Sequence, residues 1–481
     1  MKKKNNQITR NIVVDLDGTL IRSDSLYECF FLFIRDNPFF LFKILPILLQ
    51  GKLAVKHYLA KNTLSTFDPS TLPYNQPLLK WLKQQKKDGA QLTLATASSL
   101  YIANSIAKYL KIFDIVIGSK DLNLSAENKR DKLVSIFGMK GFEYIGNSKD
   151  DIPIWKASSL IHTSNLNFGV NRLIQKIGTT TQSFNTQDNN LFSFIKLLRS
   201  HQWIKNILVF LPMFASHKIG DIKLLQEGLL AFLSFSMCAS SVYILNDLLD
   251  LQNDRKHITK KFRPLASGEF KIINAVFIFT ILVVLAFLIA FLCLPLTFLY
   301  LIFTYFLITS FYSFYFKKIA ILDVVILALL YTLRVVAGAE ANGLTSTFWM
   351  LDFCFFIFLS LAFLKRYTEL FNLRSSKAKL KAFGRGYYSS DFELLASLGA
   401  SSGYLAILIL GLYINEQSTS NLYNRPLWLW PICPLLIFWI SRTWLIAHRG
   451  QMQTDPVLFA LKDRISRFIF IFSLLFFMVS I

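Results

Sequence analysis

Asp247, Asp250 and Asp254 recur at intervals of three and four residues in NDLLDLQNDRKHITKKFRP, the stretch from Asn246 to Pro264. On a continuous helix that spacing puts three carboxylates on one face, with the amide oxygen of Asn246 beside them. Acids stacked in this way repel unless cations lie among them. Mg²⁺ prefers oxygen ligands and often shares them with substrate phosphates. The flanking segments are apolar, a setting where carboxylates are costly unless they bind something. The plainer alternative is a solvated loop of mixed charge, which does not call for three acids on one face. A second pair, Asp15 and Asp17 in DLDGTL (15–20), closes a short apolar run. At a strand end the two face a common pocket, where Asp15 could attack phosphorus and Asp17 could shuttle the leaving-group proton. Taken alone, this DxDG is equally an ordinary acidic turn.

The elements that must position these residues fall into two sets. Residues 1–185 alternate strand and helix signals: NIVVDLDG (11–18), AQLTLATAS (90–98), FDIVIGS (113–119) and FEYIGNS (142–148), with helical patterns at 100–111 and 129–137. This predicts a doubly wound α/β domain on a parallel sheet, with its site at the carboxyl ends of the strands. Residues 24–88 interrupt the alternation. Their apolar part, 29–50, is broken by Arg35, Asp36, Pro38, Lys43 and Pro46 into pieces shorter than the ~18 residues of a span. We read 24–88 as a helical cap resting on the membrane surface. The small, polar stretch 178–190 reads as a linker.

Residues 191–481 read as a polytopic membrane domain. Nine apolar segments lie near 203–216, 226–245, 273–292, 296–315, 320–340, 346–364, 394–414, 425–446 and 467–481. Basic residues gather after the even-numbered segments: Lys256 to Lys271, Lys317 and Lys318, Lys365 to Arg385, and Arg449 to Arg467. All those loops then lie on the side of the N-terminal domain, which the positive-inside bias makes cytoplasmic. The expected location is the cytoplasmic membrane, with both sites facing the cytoplasm.

Composition agrees. The chain has 481 residues, of which 53% are hydrophobic and 46 are Phe, an apolar share that points to membrane segments. The net charge of +22 comes without any nucleic-acid-binding motif, so it is assigned to loop bias and phosphorylated ligands, not to nucleic acid. Cys29, Cys238, Cys293, Cys354 and Cys433 are scattered without a CxxC, which argues against a disulfide framework or a zinc site. MKKKNNQITRNIVVDLDGTL lacks the long apolar core of a signal peptide. Nothing here sets the oligomeric state, and a homo-oligomer stays open.

Three further pieces accompany Asp15 and Asp17: Thr96 in LTLATAS, Lys129 in ENKRDKLVSIFG, and GNSKDD (146–151) after a strand. In this order they resemble the four motifs of the haloacid dehalogenase superfamily, over nearly all of residues 11–160. The resemblance implies a phosphatase in which Asp15 is nucleophile and Asp17 general acid/base. Thr96 and Lys129 would hold the phosphoryl oxygens, and Asp151, with Asp150, would bind Mg²⁺ together with Asp15 and Asp17. Asn147 stands where many members carry Asp, which leaves the main metal ligand open between the two following acids.

The string NDLLDLQNDRKHITKKFRPLASG resembles the first aspartate-rich motif of the UbiA superfamily of intramembrane prenyltransferases, a nine-helix bundle, over about 195–470. LLRSHQWIKNILVFLP (197–212), YSFYFKKIAILDV (312–324), TLRVVAGA (332–339) and LKRYTEL (364–370) look like its polyprenyl-phosphate phosphoribosyltransferase branch. Only Asp323 stands where aromatic prenyltransferases carry a second acidic motif. The branch implies attack of polyprenyl phosphate on phosphoribosyl pyrophosphate. Asn246, Asp247, Asp250 and Asp254 would hold Mg²⁺, and the phosphates would draw on Lys205, Asn206, Lys260, Arg263, Lys317, Asp323, Arg334, Lys365 and Arg366. The N-terminal domain would then remove the 5-phosphate, giving polyprenylphosphoryl ribose for cell-envelope glycan synthesis. The alternatives are an aromatic prenyltransferase using polyprenyl diphosphate, and a membrane-anchored phosphatase without transferase activity.

Overall fold

Four short apolar runs, each ending in polar residues, become neighbouring parallel strands in the computed structural model of the chain. It describes residues 10–37, 46–166, 169–178, 180–186, 190–374, 385–416, 422–452 and 455–481. Two compact units arise: residues 1–198 with 244–277, and residues 199–243 with 278–481. The acidic stretch, which lies inside the apolar half of the sequence, thus groups with the N-terminal unit.

The first unit is built on β1 (Asn11–Val14), β2 (Gln91–Ser99), β3 (Ile115–Ser119), β4 (Glu143–Gly146), β5 (Ile161–Thr163) and β6 (Thr180–Ser183), in the order β3-β2-β1-β4-β5-β6. Every pairing is parallel. The chain leaves β1 toward β2 and β3, then crosses back to β4, so the winding reverses beside β1. At such a reversal a crevice opens at the carboxyl ends of the strands. β6 was not expected. Its residues TTQS are exposed and polar and lie within the stretch read as a linker, but they pair with β5 at the sheet edge.

Two cores cover the two faces of the sheet. One holds Ile12, Val14, Leu92 and Leu94 against Leu78, Leu82, Ile102 and Ile106. The other holds Val13, Ala95 and Tyr144 against Leu133, Ile154 and Trp155. Alternate residues of each strand point to opposite faces, and burial on both faces explains the continuous apolar runs. Of the inserted segment, α1 (Ser25–Asp36) and α2 (Lys52–Thr63) are additions to the sheet-and-helix pattern. α3 (Gln76–Lys87) is capped by Asn75 and buries Leu78, Leu79 and Leu82 in the first core. It is the crossover helix between β1 and β2, so the insertion proper is shorter than 24–88. Part of the apolar stretch 29–50, residues 38–45, lies outside the described residues. α4 (Leu100–Leu110), α5 (Ala126–Phe137) and α6 (Ile152–Ala157) complete the unit around the site.

Among the described residues, seven helices have the length and apolarity to cross a membrane. They belong to α7 (Ile222–Leu249), α9 (Ile272–Cys293), α10 (Leu296–Phe314), α11 (Leu322–Ala341), α12 (Phe348–Arg374), α13 (Phe392–Ile414) and α14 (Ile432–His448), with the short α8 (Leu251–Lys256) following α7. Nine spans were expected. The segment 203–216 is instead a 3-10 helix, Ser200–Phe210, followed by a short helix, Leu211–Ala215, with Pro212 in its first turn. The segment 467–481 falls in α15 (Arg464–Ser480), whose 17 residues reach about 26 Å against a hydrocarbon thickness of about 30 Å.

The helices pack through small residues, as membrane helices do when backbones must approach. A Cβ on Gly338 would lie 1.9 Å from the Val209 carbonyl oxygen, and one on Gly399 would lie 2.3 Å from the Trp444 ring. Phe277, Phe291 and Leu292 stand about two-thirds exposed on α9, a surface that suits lipid and not water.

Candidate active sites

Asp15 is the residue after β1, and its amide donates to the Ile145 carbonyl of β4 at 3.0 Å. Its side chain is buried. Lys129 of α5 donates to Asp15 Oδ1 at 2.8 Å and lies 3.7 Å from Asp151 Oδ1. The same ammonium donates to the Tyr144 hydroxyl at 3.0 Å, which donates to Asp151 Oδ1 at 2.6 Å. Asp151 Oδ2 accepts from the amides of Asn147 and Ser148, so this carboxylate also caps the turn after β4. Asp150 is exposed.

Asp17 accepts from the Ser25 amide at 2.7 Å and from Ser98 Oγ at 2.5 Å. Thr96 is buried in β2 and accepts from the Ser98 amide at 3.0 Å. Gly18, at φ +73°, sits where a Cβ would fall 2.1 Å from Asn147 Nδ2, so only glycine fits this turn. The four expected motifs therefore converge at one end of the sheet. Burial pushes the Asp15 carboxyl up to about 7, with Lys129 opposing it. Burial also pushes Asp17 up to about 6, aided by the nearby Asp24. A carboxyl that keeps its proton near neutrality can donate it to a leaving group.

The second acidic set departs from one straight helix. α7 ends at Leu249, and Asp250 (φ −100°, ψ 13°) stands at the start of α8. The helical hydrogen bonds nevertheless continue through the bend, from Asp250 N to Asn246 O and from Asp254 N to Asp250 O. Asp247 and Asp254, both buried, still share a face. Arg263 Nη1 donates to Asp247 Oδ1 at 3.0 Å and to Asp254 Oδ2 at 2.5 Å. Asn246, Asp250 and Lys260 are half-buried. Burial pushes Asp254 up to about 6, against the pull of Arg263.

In the second unit the basic residues divide into two clusters. Lys205 and Lys365 both donate to Asp455 Oδ2, at 3.1 and 3.0 Å. Beside Lys205, Asn206 accepts from Arg334 Nε at 2.8 Å, and Arg334 also donates to the Tyr305 hydroxyl at 2.9 Å. Burial opposes the charge on Asp455, but Lys365 and Lys205 outweigh it and hold the carboxyl well below its usual range. The other cluster centres on Asp323, whose oxygens accept from Arg366 at 2.6 Å and Tyr387 at 2.5 Å. Arg366 further pairs with Glu369 and Tyr312. Lys317, half-buried, follows α10.

Tyr144 and Asp455 were not singled out from sequence. Asp455-Pro456 carries the signature of a helix start, which the structure bears out, but nothing local points to its two lysine partners.

The donors fit Mg²⁺ in kind, being carboxylate and amide oxygens. Among the described residues no three His, Cys, Asp or Glu side chains stand together as a ready cation cage.

Among the described residues, seven apolar helices long enough to cross a bilayer define a polytopic membrane protein. Residues 207–474 match the UbiA prenyltransferase family, and the chain belongs to that family. It is 34% identical to uncharacterized protein y4nM of Sinorhizobium fredii over 95% of this chain and 88% of that protein. Nodulation protein NoeC of Azorhizobium caulinodans is 34% identical over 56% of this chain and 87% of its own length. Decaprenyl-phosphate phosphoribosyltransferase of Mycobacterium tuberculosis is 27% identical over 58% of this chain and 90% of its own. The S. fredii protein thus matches both halves, whereas the mycobacterial enzyme has no counterpart for about two-fifths of this chain.

Proposed function

We propose that this transferase moves 5-phosphoribose from phosphoribosyl pyrophosphate to polyprenyl phosphate. The observation that carries the choice of donor is the state of Asp323. A second metal-bound diphosphate motif would need free carboxylates there, but Asp323 is fully buried and both its oxygens are held by Arg366 and Tyr387. The similarity to decaprenyl-phosphate phosphoribosyltransferase supports the same donor. A lipid phosphate oxygen forms a bond to the anomeric carbon as the bond to pyrophosphate breaks, and the pyrophosphate carries off the electron pair. The attacking oxygen is already anionic and needs no general base. Asn246, Asp247, Asp250 and Asp254 would hold Mg²⁺, which would supply positive charge for the departing pyrophosphate. Lys205, Asn206, Arg334 and Lys365 would receive a phosphate, with Asp455 keeping the two lysines poised until it binds.

In the same reading, the N-terminal domain hydrolyses the 5-phosphate of the lipid-linked product. Asp15 attacks phosphorus, Asp17 protonates the departing ribose oxygen, and Lys129 and Thr96 steady the phosphoryl oxygens. Water then cleaves the aspartyl phosphate with Asp17 as base. Asp15 and Asp151 would hold Mg²⁺, which would supply positive charge at the phosphoryl group.

The test is incubation of the purified protein with labelled phosphoribosyl pyrophosphate and polyprenyl phosphate, followed by extraction of lipid-soluble label. Label is expected with Mg²⁺ and absent in EDTA. Label acquired only from polyprenyl diphosphate and an aromatic acceptor would replace the reading with the aromatic one. The proposed cytoplasmic face of both sites is tested by cysteine labelling in oriented vesicles. Ile258→Cys should react from the cytoplasmic side alone and Thr345→Cys, between α11 and α12, from the other.

A further inference from the structure

Resting on that transferase reading, we propose that Glu28 of the phosphatase-like domain is a positioning residue for the acidic segment, holding it in the shape that transfer requires. Arg255 follows Asp254 directly. Its guanidinium grips Glu28 with two bonds, Nη2 to Oε1 at 2.6 Å and Nη1 to Oε2 at 3.0 Å. The pair is nearly sealed from solvent, with side chains 6% and 2% exposed. The third donor, Nε, binds the Ala266 carbonyl at 2.9 Å. One guanidinium thus fastens both limbs of the acidic loop, at 254–255 and at 266, to α1.

Two more contacts fix the far limb. Gly268, at φ +74°, lies so close to Arg22 that a Cβ would sit 2.8 Å from the arginine Cβ. Ser193 donates to Glu269 at 3.2 Å. Between the fastened points lie Asp254 and Arg263, whose bond sets the approach of Asp247 to Asp254. Releasing Arg255 would free the loop that carries Arg263 and would leave a buried charge unpaired. The grip therefore defines the spacing of the acids, although Glu28 touches neither acid.

The same turn of α1 makes a second contact. Its first amide, that of Ser25, donates to Asp17 at 2.7 Å, one turn from Glu28. A single helical turn thus bears on the proton donor of one candidate site and on the frame of the other.

The experiment uses the full-length protein in lipid nanodiscs, with Glu28→Gln, Arg255→Lys and the exchange Glu28→Arg with Arg255→Glu. Glu28→Gln keeps the shape of the side chain and removes its charge. Lipid labelling is measured against the concentrations of phosphoribosyl pyrophosphate and Mg²⁺. Amide hydrogen exchange is followed over 251–269. Glu28→Gln and Arg255→Lys should raise both half-saturating concentrations roughly tenfold, within the usual range of coupling through packed elements, and should speed exchange in the segment. The exchanged pair should recover much of the loss, which a merely unstable variant would not. Lys256→Ser, which removes the exposed contact to Asp68, should change little. Unchanged concentration dependence and exchange in Glu28→Gln and Arg255→Lys overturn the inference. If the wild-type protein labels no lipid, the transferase reading fails, and hydrogen exchange still decides whether Glu28 holds the segment.

Discussion

Two pairs of carboxylates in this molecule are each bridged by one cation, and the two bridges are built differently. Lys129 rises from α5 between Asp15 and Asp151, is 5% exposed, and is also tied to Tyr144. Arg263 reaches Asp247 and Asp254 from an extended loop residue just before Pro264 and is 25% exposed. The first cation is part of a core. The second is a counter-ion on a tether. On the proposed phosphatase reading, a buried ammonium with three partners would stay when a phosphate arrives and would add its charge to the binding of that phosphate. A half-open guanidinium can turn away from its acids toward a substrate phosphate and leave their oxygens to a cation. The contrast separates a site assembled before its ligand from one that the ligand completes.

The largest effects should come from the acids themselves. Asp15→Asn is expected to abolish phosphate release while leaving lipid labelling intact, and Asp247→Asn is expected to abolish labelling while still releasing phosphate from lipid-linked 5-phosphoribose supplied ready-made. Each loss should reach a thousandfold or more, on the order of what removal of a reacting group costs. Quantification of lipid-linked ribose with and without its 5-phosphate reads both. Loss of labelling in Asp15→Asn, or loss of phosphate release from the ready-made lipid in Asp247→Asn, would break the separation into two sites.

Next come the bridging cations. Lys129→Met leaves two buried acids without their cation, a loss on the order of 3–5 kcal/mol, and should lower the melting temperature clearly. Arg263→Met should cost less, and added Mg²⁺ should restore more stability to it than to the wild-type protein, because the acids are free to take the ion. Melting curves with and without Mg²⁺ decide this. If Mg²⁺ helps neither, Arg263 is as structural as Lys129.

Much of this contrast was legible in the sequence, and the reasons differ by residue. Thr96 lies in a short apolar strand, Asp15 directly after one, and Asp151 in the turn that follows β4, and parallel strands bring such positions to one edge of a sheet by geometry alone. Lys129 was legible only through the superfamily pattern. Asp247 and Asp254 were legible from spacing, but the bend at Asp250 was not, since backbone hydrogen bonds continue through it. The Glu28–Arg255 pair and the Asp455 anchor span 227 and 250 residues, and no local pattern encodes a partner at such a distance. β6 escaped because an exposed edge strand of polar residues has no hydrophobic alternation.

A smaller effect is expected at Gly268. Alanine there must adopt a positive φ and push against Arg22, a strain of about 1–2 kcal/mol. The cost should fall on the acidic segment and not on the sheet. Gly268→Ala should therefore speed hydrogen exchange over 251–269 and leave β1 and β4 protected. Faster exchange in both would mean that the two bridges belong to one cooperative core.

The last effect is a slope with pH and not a fixed loss. Asp254 has its carboxyl raised from 3.8 to about 6, while Asp455 is held well below the usual range. A raised carboxyl binds its proton more tightly in the folded state, so its contribution is full below the unfolded value and is lost as pH rises through about 6. For Asp254 that loss is at most on the order of 2–3 kcal/mol, spread between about pH 4 and 6. A depressed carboxyl behaves oppositely: its contribution is present above the unfolded value and disappears only in stronger acid. Asp254→Asn should thus gain stability relative to wild type as pH goes from 4.5 to 6.5. Asp455→Asn should lose the same amount at both. Melting followed by tryptophan fluorescence at the two pH values supplies the four differences needed. Mg²⁺ should lessen the Asp254 slope, since a cation between the acids favours their charged forms, and it should leave the Asp455 pair alone. A slope at Asp254 that ignores Mg²⁺ would place Arg263 with Lys129, as a fixed part of the fold and not a tethered counter-ion.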